Sequence, residues 1–476
     1  MTKKYIFFKI GIIGTFICVL LLALLLTSSN IRDIIKNNLS KDFKNKLKDT
    51  VFIYSTNKKL KEEIADNQKE ISILKNRNKK LNYQKYFNLY YKDNGIHTET
   101  STVSKTGERN FNKLKKFRLM TSNKSNYLNE EDFSGSFYIE KNSNNFFLNF
   151  ANGNLFFFNK NDLNTNKINI KNIKNNIKSF IDNPDKLRVT SRVRDSKIIN
   201  ENLYISYVKK IKKSCFNISI LMAKIDLNNM IFKDFFTYPE CISTKIAVTG
   251  TGGRIEKIDN NKIAFSIGEQ LNLFPAQDPN SIFGKIITID LKTKKHNIIA
   301  MGNRNPQGLV YSKKNNLLFS SEHQSKGGDE VNLIKIDGKK IYNYGWPISS
   351  YGDHYDWVSE EDKKKYPLHK SHQKYGFEEP LIYFNPAIAP SEIIIEEESN
   401  SDIFFLLSTL KDKSLIELKY NLLNKEMKFI KKTSIGARIR DIYNEPEYIL
   451  IAMEDNLIAK DGTFNILSSI GYLSVD

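Results

Sequence analysis

A short apolar strand bounded by Asn, Asp, Glu or Lys recurs six times in this chain. The segments are Asn154–Phe158, Asn202–Ser206, Lys262–Ser266, Asn316–Ser320, Asp402–Leu406 and Glu447–Ile451. Their starts lie 48, 60, 54, 86 and 45 residues apart. A four-stranded propeller blade takes roughly 40–50 residues, so the spacing is that of blades. The runs are continuously apolar rather than alternating, which marks strands covered on both faces, as the inner strands of stacked blades are. No long amphipathic helix pattern interrupts the series, which disfavours α/β folds. The rhythm predicts an all-β, six-bladed β-propeller.

A second element stands about ten residues upstream of many of these strands. It reads Arg192-Val193-Arg194-Asp195, Gly253-Arg254-Ile255, Arg304-Asn305-Pro306-Gln307-Gly308 and Arg438-Ile439-Arg440-Asp441. Equivalent positions of successive blades share one rim, so the arginines are expected to converge on an axial pocket. A ring of guanidinium groups suits a planar, multiply anionic ligand, because each offers a bidentate fork and a stacking face. The alternative for any single repeat is that its arginine pairs with a neighbouring Asp and only closes a turn.

The longest interval holds both tryptophans of the chain. Asn343-Tyr344-Gly345-Trp346-Pro347 is followed by His354, Tyr355, Trp357, Tyr366, His369 and His372. Long insertions on a rigid scaffold usually carry function, and Tyr and Trp at a pocket mouth are sugar-stacking surfaces. The three histidines lack zinc spacing and are expected at the surface.

Ile10 to Asn30 contains no charged residue and is long enough to cross a ~30 Å hydrocarbon layer as a helix. Lys3, Lys4 and Lys9 precede it, which favours a cytoplasmic N-terminus and a propeller outside the cytoplasm, periplasmic in a Gram-negative cell. A cleaved signal peptide is the competing reading, with Thr27-Ser28-Ser29 a weak cleavage site. Leu60, Ile64, Asn67, Ile71, Leu74, Asn78 and Leu81 then follow the a/d seam of a coiled coil. Residues 56–82 are thus a self-association stalk or an amphipathic helix packed on its own domain. Residues 83–128 show no clear period and read as linker or irregular cover. The expected division is an anchor over 1–30, a helical stalk and linker over 31–128, and the propeller over 129–476.

Net charge is +20. Residues 28–130 alone carry 23 basic against 11 acidic side chains, so the globular part is only mildly basic. No basic stripe with interleaved aromatics appears, and nucleic acid is excluded as a partner. Cys18 lies in the apolar N-terminal run. Cys215 and Cys241 are compatible with one disulfide in an oxidising compartment or with two buried thiols.

The block Gly302-Asn303-Arg304-Asn305-Pro306-Gln307-Gly308-Leu309, then Ser321-Glu322-His323-Gln324-Ser325-Lys326-Gly327-Gly328-Asp329-Glu330-Val331-Asn332, then Asn343–Pro347, resembles the core of the glucose/sorbosone (aldose sugar) dehydrogenases. Phe283–Asp290, Ala389-Pro390-Ser391, Thr409-Leu410-Lys411 and Arg438–Asp441 agree with it. The resemblance covers roughly residues 130–476 and is least specific in the first blade. It implies a six-bladed propeller that binds pyrroloquinoline quinone (PQQ) and calcium and oxidises an aldose C1 hydroxyl to a lactone. By position, Arg304 and Asn305 are implied to flank the quinone, and Lys411, Arg438 and Arg440 to hold its carboxylates and carbonyls. The Gln324 and Ser325 backbone carbonyls are implied to bind calcium, and Asp329 to face the substrate. One departure concerns the base. The family has a histidine three residues before its Gly-Arg pair, and here that position is Gly250. Removing a proton from a sugar hydroxyl needs a base within hydrogen-bond reach, typically worth ~10²–10⁴-fold. Glu269 and His323 are the candidate replacements. A non-catalytic propeller binding a glycan or a protein is the alternative.

Overall fold

The recurring apolar segments are strands, each paired antiparallel with its neighbours in a separate sheet. The computed structural model describes residues 98–101, 111–119, 135–165, 168–181, 188–189, 192–243, 247–460 and 463–475, all within the compact unit Lys85–Asp476. The expected anchor over Ile10–Asn30 and the heptads over 56–82 lie outside the described residues. Among the described residues no helix is long and apolar enough to cross a membrane.

Six sheets make six blades. Their first strands are Phe137–Asn142, Val193–Ile199, Gly252–Lys257, Asn305–Ser312, Pro390–Glu398 and Arg438–Asn444, for blades 1 to 6. Each packs beside the first strand of the next blade, and the sixth returns to the first, which closes the ring. These first strands line the axis. Five of the segments that set the rhythm are second strands, one step out from the axis. The segment at Asn154–Phe158 belongs to the third strand of blade 1, because Asn145–Phe150 repeats the same pattern just upstream.

The apolar runs are continuous because each blade is covered on both sides. In blade 3, Ile263 and Phe265 face a cluster shared with blade 2, while Ala264 faces one shared with blade 4. In blade 5, Ile403, Phe405 and Leu407 pack toward blade 4, and Leu406 toward blade 6. Alternate side chains of a strand point to opposite faces, so both faces must be apolar. Truncating a side chain such as Phe265, fully buried between blades, would cost about 3–5 kcal/mol.

The stretch expected to be linker or irregular cover contains two paired strands. Phe111–Arg118 pairs antiparallel with Thr463–Val475, and Thr98–Ser101 pairs with Phe111–Arg118, so an N-terminal segment completes blade 6. Leu114 and Phe117 are buried there, three residues apart, and a register shift lies between Phe111 and Leu114. That irregularity hides the strand period from the sequence. Cys215 and Cys241 form a disulfide inside blade 2.

Candidate active site

Arg254 sits on the axis as a plug. Its guanidinium donates to Asp195 of blade 2 at 2.9 Å, Asp441 of blade 6 at 3.0 Å, the Gln307 carbonyl of blade 4 at 2.7 Å and the Ser391 carbonyl of blade 5 at 2.9 Å. It also pairs with Glu392 and lies over the Tyr138 ring of blade 1 at 5.4 Å. Burial disfavours the charge, but Asp195, Glu392 and Asp441 together raise its pKa. One arginine of the repeated set therefore ties the six blades together.

The other arginines lie toward the rim where the first strands begin. Arg438 and Arg440 donate through Nε to the two oxygens of Glu454, at 2.9 and 2.8 Å. Burial works against ionisation of Glu454, yet Arg440 and Arg438 hold its carboxyl at about 2. Asn305 accepts the Gly252 amide at 3.0 Å, joining blades 3 and 4. The Glu322 carboxylate accepts the Arg304 amide at 2.8 Å and fixes the turn that presents Arg304.

Arg304 points into a cleft of about 430 Å³ lined by Glu269, Leu273, Ser325, Trp346, Tyr355 and Trp357, among others. Its guanidinium lies 5.3 Å from the Trp346 ring and 5.8 Å from the Tyr355 ring. Tyr355 stacks on Trp357, which is 68 % exposed at the mouth. Glu269 is 1 % exposed, its Oε2 has no hydrogen-bond partner, and its Oε1 is 3.9 Å from Arg304 Nε. Burial pushes its carboxyl up to about 7 against the pull of Arg304 and the Leu271 amide. Gln270 and Leu271 both hold left-handed backbone, at φ 52° and 60°. Strain of this kind, on the order of 1–3 kcal/mol per residue, gathers at functional sites. Gly250 is packed against this turn with φ +64°, and an added Cβ would stay 3.8 Å from the nearest atom. Room exists for a side chain there, but the left-handed backbone favours glycine.

Several residues expected at the site do other work. The Gln324 carbonyl accepts Arg304 Nη1, and the Ser325 carbonyl accepts the Tyr355 hydroxyl at 3.0 Å. A guanidinium cation on the Gln324 carbonyl does not fit a calcium ion there, and among the described residues no group of three His, Cys, Asp or Glu is placed to hold a metal. Asp329, expected to face substrate, is bonded to backbone amides. It accepts the amides of Gln324, Ile388 and Ala389 at 3.0, 2.8 and 2.7 Å, and so clamps two loops. Lys411 is exposed, and its backbone amide donates to Ile388 in the clamped loop. His323 Nε2 donates to the Pro390 carbonyl at 2.7 Å, and burial holds its imidazole below the ordinary range. That makes His323 a poor base. His372, expected at the surface, is fully buried, stacked on Tyr351 and 3.4 Å from Glu330. Glu454 and the Arg304–Trp346 contact were not apparent from the sequence. Glu454 lies 14 residues beyond Arg440 on the hairpin partner, and only strand pairing brings them together.

The chain resembles known proteins in the same region. It is 28 % identical over 225 residues to aldose sugar dehydrogenase YliI of Escherichia coli, covering 43 % of this chain and 57 % of that protein. It is 35 % identical over 89 residues to quinoprotein glucose dehydrogenase B of Acinetobacter calcoaceticus, covering 16 % and 18 %. The chain thus spans little more than half of one curated relative and less of the other. The soluble aldose sugar dehydrogenase of Escherichia coli superposes with a TM-score of 0.53 at 18 % identity, over 71 % of this chain and 96 % of that one, which supports the propeller fold. The family model for Glucose / Sorbosone dehydrogenase matches residues 199–464, from blade 2 through blade 6. With that match spanning more than half of the sequence, the chain belongs to the glucose/sorbosone dehydrogenase family.

Proposed function

We propose that the protein is a quinone-dependent sugar dehydrogenase in which Glu269 takes the place of the family histidine. The observation that carries this reading is the cleft itself. A buried carboxyl raised to about 7 faces a guanidinium within 4 Å, beneath stacked aromatic rings. A base with a pKa near ambient pH is suited to accepting a proton from a hydroxyl. The Trp357 and Tyr355 faces orient an apolar sugar face, and Arg304 stabilises negative charge developing on oxygen.

The residues present fit PQQ better than they fit calcium. Arg304, Arg438, Arg440 and Lys411, which the family resemblance assigns to the quinone together with Asn305, are cations suited to a tricarboxylate. When bound, the quinone supplies the acceptor for the two electrons and the second proton released as the C1 hydroxyl becomes a lactone. Glu269 accepts the hydroxyl proton. No role is assigned to calcium.

Reconstituting the chain with PQQ and following dye reduction with a panel of aldoses tests the proposal. Turnover that exceeds that of Glu269→Gln and Lys411→Ala supports it. Quinone-independent or absent turnover overturns the enzyme reading. The glycine at position 250 favours the alternative, a non-catalytic propeller that binds a glycan or protein. Sugar binding by the chain without turnover would establish it.

We also place the propeller outside the cytoplasm, tethered by Ile10–Asn30, with residues 56–82 available for homo-oligomer formation. The Cys215–Cys241 disulfide supports an oxidising compartment. Protease protection in intact cells checks the placement, and deletion of 56–82 followed by light scattering checks the oligomer.

A further inference from the structure

Arg194 is an arginine of the repeated set for which no acid stands as partner among the described residues; Arg192, two residues before it, is instead bonded to the Ile181 carbonyl. Arg194 lies on the first strand of blade 2, next to Asp195, which is spent on Arg254. Its Nε is buried with no hydrogen-bond partner, and among the described residues no carboxylate lies within ion-pairing distance of it. The groups that act on its charge are Tyr138, Arg440 and Arg254; burial and the two guanidiniums lower its pKa to about 10. The stem is held in place by close approach to blade 3. A Cβ added at Gly253 would come within 2.5 Å of the Arg194 Cβ. A guanidinium whose Nε is buried with neither a hydrogen bond nor a carboxylate is costly, and an arriving anion would neutralise it.

We propose that Arg194 is a ligand-recognition residue, an additional cation that holds a carboxylate of a planar aromatic polyacid bound at the axial mouth beside Arg440. This rests on the quinone reading for the natural ligand, and it extends the ligand contacts to blade 2. Arg254 cannot serve the same purpose, because three carboxylates already surround it. Arg440 shares Glu454 with Arg438, so those two cations have one carboxylate between them. With Arg194 added, the mouth presents three guanidinium groups against one carboxylate, which matches a ligand bearing more than one negative charge.

The test uses the full chain and the variants Arg194→Met and Arg194→Lys. PQQ affinity is measured by calorimetry and by quenching of Trp346 and Trp357 fluorescence, and unfolding midpoints are measured without ligand. A charge-assisted hydrogen bond lost from the ligand should weaken PQQ binding by about 10- to 100-fold in Arg194→Met. Arg194→Lys should recover part of it. The ligand-free midpoint of Arg194→Met should not fall, which separates recognition from a structural role. Equal PQQ affinity in wild type and Arg194→Met overturns the assignment and leaves the quinone reading standing. If wild type does not bind PQQ but binds benzene-1,3,5-tricarboxylate in an Arg194-dependent way, the quinone reading fails and the anion site stands. Binding of neither probe overturns both.

Discussion

Arg254 and Arg194 lie on adjacent first strands of the propeller, and the fold treats their charges in opposite ways. Arg254 is met by Asp195, Glu392 and Asp441 and by two carbonyls, so its charge is fully compensated at the centre of the ring. Among the described residues, the groups that act on the Arg194 charge are two guanidiniums, Arg440 and Arg254, and the Tyr138 phenol. The two come from the same recurring motif. The motif therefore places an arginine near the axis, and the carboxylates contributed by other blades decide whether it joins blades or waits for a ligand. Removing one member of a compensated buried set strands the others, whereas removing an uncompensated charge relieves a burial cost.

The largest expected effect comes from Arg254→Met. It leaves three buried carboxylates without their cation and should destabilise the chain by about 3–5 kcal/mol, or abolish soluble expression. Arg194→Met should leave ligand-free stability unchanged or raise it. Denaturant midpoints of the two variants read the contrast directly. Equal losses in both would break the distinction between plug and mouth.

A comparable effect, on rate rather than stability, is expected at Glu269. In the PQQ-reconstituted protein, Glu269→Gln should lower kcat by ~10²–10⁴-fold. The base works when deprotonated, so the wild-type rate should climb as pH rises through about 7 and level off above it. The variant should lose that climb. A wild-type profile flat between pH 6 and 8 would remove Glu269 as the base.

Glu454 stands between the two extremes, since it compensates Arg438 and Arg440 at the mouth. Its folded-state pKa of about 2 lies below the ordinary value of 4.5. Its contribution is therefore present above about pH 4.5 and is lost as pH falls toward 2. Glu454→Gln should cost about 3 kcal/mol near neutrality and flatten the stability profile in that acid window. Urea unfolding at pH 7, 4 and 3 measures both. An unchanged acid profile would show that the rim arginines do not depend on this carboxylate.

The fold was legible because propeller blades repeat. Runs such as Lys262–Ser266 must be apolar on both faces, and that requirement is written into each strand separately. The closing strand at Phe111–Arg118 was not legible, because the buried Leu114 and Phe117 lie three residues apart and its partner lies more than 340 residues away in sequence. At the site, the motif block led to Arg304, and the missing family histidine led to Glu269; the two meet in one cleft. The motif block did not reveal that the Asp329 oxygens accept three backbone amides, or that the Gln324 and Ser325 carbonyls accept from Arg304 and Tyr355. Residue type and spacing report which groups are near the axis. They do not report hydrogen-bond partners, which depend on loops that cross between blades.

The smallest expected effect belongs to Tyr355→Phe, and it sharpens the contrast at the cleft. The change keeps the ring that faces Arg304 and stacks on Trp357, and removes only the hydroxyl that donates to the Ser325 carbonyl. Stability should fall by about 1 kcal/mol. The same pair of carbonyls tests the place of calcium. With Arg304 on one carbonyl and Tyr355 on the other, wild type should melt at the same temperature in calcium and in chelator. The Tyr355→Phe variant frees the Ser325 carbonyl but keeps Arg304 in place, so its midpoint should also be indifferent to calcium. A calcium-dependent rise in the wild-type midpoint would mean that Arg304 leaves the Gln324 carbonyl, and the cleft would then compensate its cation differently from the arrangement described.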